Sequence, residues 1–197
     1  MISWFFIGLI VTILLTPGPT NTLLASSGIQ VGVRKSLSLI PAEALGYFIS
    51  ITIWGALIGS LAKQFPMIPV ILKLFSAVFI IYLAFKLWHK AERQPNYSQA
   101  TIRPSALFCA TLLNPKALLF ASAIFPSFVW HNFAAYVSHM LVFLVLIIPI
   151  AFFWIFLGKK LTSNKIAWLN PFNMQRTASV ILFGFSVPIG YSAILSL

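Results

Sequence analysis

Acidic side chains are almost missing from this chain of 197 residues: it has two, Glu43 and Glu92, and no aspartate. That scarcity leaves few carboxylates to serve as a base or as metal ligands within spans. The single cysteine, Cys109, excludes a disulfide within the chain and leaves no thiolate cluster for zinc or iron–sulfur. It lies in an apolar stretch, where packing is its expected role. His131 and His139 fall at or near one loop with no Cys, Asp or Glu close by, so no metal site is expected there. An enzyme buried in a membrane needs a nucleophile with a base, or metal ligands, inside its spans. Neither constellation is visible, so the chain is read as a non-enzyme that calls for no cofactor.

What remains is apolar. Hydrophobic residues make up 60% of the chain and charged residues 8%, with a mean hydropathy of +0.98. A water-soluble domain of this size has no surface on which to place so much oil, so the solvent is lipid. The formal charge of +11 would suggest nucleic acid in a soluble protein. Here the basic residues crowd the loops between apolar runs, which is how membrane proteins fix their orientation, and no nucleic-acid partner is expected. The first fifteen residues have no basic leader and run on into further apolar sequence, so they read as a retained first span.

A helix crosses the hydrocarbon core in roughly 20 apolar residues. Runs of that size predict an all-α membrane protein with six transmembrane helices, from Ile2 to Ser27, Ser36 to Leu61, Val70 to Trp88, Ser105 to Val129, Phe133 to Leu157 and Thr177 to Leu197. Ten Lys and Arg follow spans one, three and five: Arg34, Lys35, Lys86, Lys90, Arg93, Arg103, Lys159, Lys160, Lys165 and Arg176. Only Lys63 and Lys73 lie opposite, so the loops 1-2, 3-4 and 5-6 are expected inside and both termini outside, in the periplasm if the membrane is a bacterial inner one. Trp4, Trp88, Trp130 and Trp168 fall near predicted interfaces and suit the role of anchors.

The polar stretch 90–104 divides one transmembrane domain into halves 1–89 and 105–197. Each half has three spans, so the second enters from the opposite side and any repeat between them is inverted. Leu14-Leu15-Thr16-Pro17 in the first span of one half matches Leu112-Leu113-Asn114-Pro115 in the first span of the other. Both spans are expected to break there. In Thr16-Pro17-Gly18-Pro19-Thr20-Asn21 two prolines remove two donors, and either Pro17 or Pro19 suits the first turn of a new half-helix, with Thr16, Thr20 and Asn21 placed to cap loose ends. In the second break Asn114 suits an N-cap, Pro115 the first turn, and Lys116 adds a positive charge beside a half-helix N-terminus, a receptor for a carboxylate. Each proline alone reads more simply as a kink; the pair at matching places makes a substrate site the better reading.

Glu43 is the one acid placed inside the membrane, where a charge costs at least a few kcal/mol unless paired or hydrated. It is a candidate proton carrier or counter-charge for a substrate ammonium, against a plain pair with Lys116 or a position near the headgroups. Ser26, Ser27, Tyr47, Thr111 and Ser122 are individually weaker candidates for a polar path. Gly55 and Gly59 form a small-residue pair that suits packing within the chain better than a dimer seam, although a homodimer stays open.

With Leu-Thr-Pro-Gly-Pro-Thr-Asn at 15–21, Gly28, the Gly32-Val33-Arg34 turn and Leu-Asn-Pro-Lys-Ala at 113–117, the chain resembles the LysE/RhtB family of amino-acid exporters over nearly its whole length. The resemblance implies a six-span carrier of the bacterial inner membrane, energised by the proton gradient, exporting amino acids such as lysine, threonine, homoserine, leucine, or cysteine and O-acetylserine. It carries Thr16, Pro17, Gly18, Pro19, Asn21, Asn114, Pro115 and Lys116 over as motif residues. Thr20 departs from the Asn common in the family. The rival readings are a small-ion or other small-metabolite exporter, which would favour carboxylate or sulfur ligands that are scarce here, and a non-transporting assembly subunit, which would not require two polar breaks.

Overall fold

The computed structural model describes residues 2–65, 67–90, 102–161 and 171–195. Glu92, Arg93, Lys165, Trp168 and most of the 90–104 stretch lie outside the described residues. The described chain is all α: α1 (Trp4–Leu15), α2 (Pro19–Ser36), α3 (Leu39–Gln64), α4 (Met67–Lys90), α5 (Pro104–Leu112), α6 (Pro115–Leu119) running into a π turn (Phe120–Ile124), a 3-10 turn (Ser127–His131), α7 (Phe133–Leu161) and α8 (Pro171–Ile194). Leu39–Ser60 and Phe133–Lys160 are each long and apolar enough to cross a membrane. Two bent pairs meet the same standard as interrupted spans, α1 with α2 at 57° and Pro104–Leu112 with Pro115–Ile124 at 45°. Both breaks stand where the proline motifs put them.

Boundaries moved where local chemistry allowed more helix than expected. The first broken span runs to Ser36 rather than Ser27, because Ser26 to Val31 carry no breaker strong enough to stop a buried helix. Its real interruption is Gly32, whose φ of 77° lies in the left-handed region that favours glycine. The chain doubles back there, which brings the Ser27 and Ser36 hydroxyls to 2.7 Å of each other. The last helix begins at Pro171, six positions before Thr177, because proline is well placed in a first turn.

The helices pack across the two halves. α7 lies along α1 and α2, α3 lies along α5, α6 and the π turn, and α4 pairs with α8. Each half thus lays its unbroken helix on the other half's broken one, the arrangement expected of inverted repeats. Directions follow from side-chain pairs. Tyr47 meets Phe143 and Thr52 meets Tyr136, so α3 and α7 are antiparallel. Gly46 faces Thr111 and Ser50 reaches Leu112, so α5 runs with α3. Phe6 packs on His139 near the start of α7, while the far end of α1 meets Lys116. Hence α1 and α5 approach from opposite ends of the bundle. Their 12 and 9 residues, at about 1.5 Å each, span about 18 and 14 Å, so they meet deep within a hydrocarbon layer of about 30 Å.

Two close crossings set this geometry. A Cβ on Gly28 would collide with the Ile155 carbonyl, and one on Gly158 with the Ala25 carbonyl, so α2 and α7 touch backbone to backbone. Gly55 and Gly59 do serve contact within the chain, but their partner is an indole: Trp130 lies over both, and a Cβ on Gly59 would stand 2.9 Å from the Trp130 Cβ. Trp130 is therefore seated in a helix groove and stacked on Phe125, whereas Trp4 projects outward, 87% exposed, as an anchor should. Cys109 corrects its expectation: it is exposed on the outer face of α5 rather than packed.

Candidate functional site

Each break begins with a residue forced out of the helix by the proline after it. Thr16 (φ −69°, ψ 130°) and Asn114 (φ −76°, ψ 120°) are both extended, as a residue preceding proline prefers. Pro19, not Pro17, opens α2, while Pro115 opens α6. The structural counterpart of Pro115 is therefore Pro19, one turn-defining step later than the matching letters suggest. Pro17 ends α1 by withholding a donor and makes no polar contact of its own.

The end of α1 leaves carbonyl oxygens that lipid cannot satisfy. The Thr16 hydroxyl and N–H both donate to the Thr12 oxygen, at 2.7 and 3.0 Å. Asn21 spends its two amide hydrogens on Leu14 and Thr16, each at 2.7 Å. The Lys116 ammonium crosses from the other half and donates to Ile13 at 2.9 Å and Thr16 at 2.6 Å. Gly18 makes this possible through size. Its backbone is extended and open to any residue, but a Cβ there would stand 3.1 Å from Lys116 Cε and 3.2 Å from Nζ.

Asn114 joins the breaks from the other side. Its Oδ1 accepts from the Lys116 N–H at 3.0 Å, the N-cap bond expected of it, and its amide donates to the Tyr47 hydroxyl at 2.9 Å and to Thr20 at 3.4 Å. Thr20 in turn stands beside the Glu43 carboxyl. Glu43 and Lys116 feel each other's charge, yet among the described residues they form no direct ion pair. In place of the direct pair that was the simple alternative for Glu43, Thr20, Tyr47 and Asn114 are its polar surroundings on the side of Lys116.

All of these side chains are buried: Thr16, Thr20, Asn21, Glu43, Tyr47, Asn114 and Lys116 are each 4% exposed or less. None of them lines the described cavities of about 390, 490 and 190 Å³, so the cluster is sealed in this conformation. A carboxylate and an ammonium sealed in lipid would each be costly alone. Here they stand among half-helix ends and hydroxyls that supply dipoles in place of water.

The LysE type translocator signature matches residues 11–193, which takes in both breaks and every residue of the cluster. The chain belongs to that family. Proteins of this family are translocators, not enzymes, and this one is a multi-pass protein of the inner membrane. Relatives include the cysteine/O-acetylserine efflux protein of Klebsiella pneumoniae subsp. pneumoniae, 29% identical over 132 residues, which are 66% of this chain and 65% of the relative. The cysteine/O-acetylserine efflux protein of Escherichia coli (strain K12) is 28% identical over 58% of this chain and 59% of its own. An uncharacterized membrane protein of Vibrio cholerae is 29% identical over 58% of each chain. The alignments thus span less than two thirds of the relatives' length. No solved structure matches the chain.

For this translocator, motif reading found the breaks but missed how they interlock. Lys116 was expected beside its own half-helix N-terminus, aimed at a ligand; it lies against the opposite half-helix's C-terminal carbonyls, where a cation belongs by helix polarity. Ser50, which donates to the Leu112 oxygen at 3.0 Å, carried no sequence signal beyond being a hydroxyl in an apolar run. Of the weaker polar candidates, Tyr47 joins the cluster, while Thr111 bonds its own helix at Leu107 and Ser27 bonds Ser36. Ser26 makes no contact with the cluster.

Proposed function

We propose that this protein exports small amino acids or close derivatives, such as cysteine or O-acetylserine, by alternating access at the cluster between the two breaks, driven by the proton gradient. The observation that carries this reading is the Lys116 ammonium resting on the Ile13 and Thr16 carbonyls. An α-amino acid brings one carboxylate and one ammonium. Its carboxylate draws Lys116 away, and its own ammonium takes the vacated carbonyls, so the number of charge-assisted bonds is nearly conserved. Binding is then weak by construction, near about 1 mM or about 4 kcal/mol, which suits a carrier that has to release an abundant metabolite.

Thr16, Gly18 and Asn21 shape the carbonyl end, Pro17 and Pro19 hold it open, and Asn114 and Pro115 orient Lys116. Glu43, buried beside Thr20, is the proton carrier: its charge alters the pull on Lys116 and so couples protonation to substrate exchange. Six spans in two inverted halves, 1–89 and 105–197, with both termini periplasmic, complete the reading. The names of the relatives and the basic loops support it.

Proteoliposomes loaded with labelled cysteine or O-acetylserine test it under an imposed proton gradient. Transport by the parent, its loss in Lys116→Met, and gradient-independent exchange in Glu43→Gln are expected, with both variants eluting as folded protein. A folded Lys116→Met variant that transports at the parental rate overturns the site.

A further inference from the structure

The cluster is sealed, and what seals it on the Trp130 side is specific. Tyr47, a member of the cluster, packs edge-on against Phe120 (5.9 Å between centroids) and Phe143 (5.7 Å). Phe120 meets Phe143 at 4.9 Å, Phe143 meets Phe125 at 6.1 Å, and Phe125 stacks on Trp130 at 5.4 Å. Beyond this aromatic contact lie two cavities, of about 190 Å³ and about 490 Å³. Trp130 and His131 line both, so they form the partition between them. The smaller chamber is walled by the π turn, including Ser122, and by Gly59.

We propose that the small chamber is a gated station on the transport path, separated from the larger cavity by Trp130 and from the cluster by Phe120, Phe125 and Phe143. The proposal rests on the cluster being the substrate site. The volume is enough for several waters or a small amino acid. The moving part is the π turn. Phe120 and Phe125 flank it, and the Phe125 N–H bonds the Phe120 carbonyl at 2.8 Å, five residues back. Conversion of one π turn to α geometry shifts register by a residue and swings the following side chain by about 100°. Gly55 and Gly59 leave Trp130 a flat seat with no side chain to lock it.

Cysteine accessibility tests the gate without reference to any substrate. Cys109 is the chain's one cysteine and faces outward, so Cys109→Ala gives a clean background in which Ser122→Cys reports water access to the chamber. With Trp130 intact, a small charged methanethiosulfonate reagent should modify Ser122→Cys slowly; adding Trp130→Ala should speed it roughly tenfold or more, because thiol reactivity follows exposure. Trp130→Leu serves the same purpose if the alanine variant fails to insert. In proteoliposomes, transport of labelled amino acids by the parent and the Trp130→Ala protein is followed in parallel. Equal labelling with and without the indole overturns the gate. Faster labelling together with no transport of any amino acid by any variant leaves the gate standing and overturns the proposed function instead.

Discussion

The two breaks share a grammar of proline and polar residue but solve their backbone problem differently. The second borrows less: Asn114 caps its own half-helix, and one neutral hydroxyl, from Ser50 on α3 of the opposite half, meets the Leu112 oxygen. The first depends on loans. Its carbonyls are met by Asn21 from the following helix and by Lys116 from the opposite half. Two breaks of similar form thus coexist with asymmetry in their chemistry. On the proposed function, the first break is the one a ligand carboxylate can release, by competing for the Lys116 ammonium.

The contrast can be broken experimentally, beginning with the largest effect. Lys116→Met should reduce transport by about 100-fold or more, equivalent to about 2.7 kcal/mol, since both the carboxylate receptor and the carbonyl lock vanish. Lys116→Arg should recover part of it in the same vesicle assay; recovery by methionine itself would erase the difference between the breaks. Asn21→Leu strips a donor from two carbonyls in a dry site and should lower unfolding stability by about 2 to 4 kcal/mol, read from thermal melts in detergent. An unchanged melting temperature would show that those oxygens find water after all.

Gly18→Ala is a finer probe, because the new methyl would press on a flexible lysine tip rather than on backbone. Folding should survive, and transport should fall by roughly 3- to 10-fold, at most about 1.4 kcal/mol. The smallest change belongs to the second break: Ser50→Ala removes one neutral hydrogen bond worth about 1 kcal/mol and should leave transport within about twofold. If Ser50→Ala hurt transport more than Gly18→Ala, the asymmetry would be reversed.

Much of this was legible in the letters. Proline positions announced both breaks because proline acts locally, through its own missing N–H and the conformation of the residue before it. Buried Lys116 and Glu43 were legible because charge inside an apolar run is costly wherever the helix faces. The interlock was not. Which carbonyls Lys116 would reach depends on how two helices rotate about their axes, and apolar faces that differ only in Leu, Ile and Phe do not declare that rotation. Trp130 misled for the same reason: an indole near a predicted helix end suits a headgroup layer, and only the facing groove of Gly55 and Gly59 reveals the seat it takes instead. The π turn had no signature either, since a single wide turn leaves apolar periodicity almost untouched.

The crossing at Gly28 and Gly158 limits how any opening can proceed. Helices separated by side chains can slide, because flexible groups repack as the ridges pass; helices in main-chain contact have nothing to repack. Under the proposed alternating access, α2 and α7 would therefore travel as a riveted unit that combines one helix from each side of the 90–104 stretch, and the rocking body would not be a sequence half. The seam that parts has to be drawn elsewhere, between that unit and the helices it does not grip.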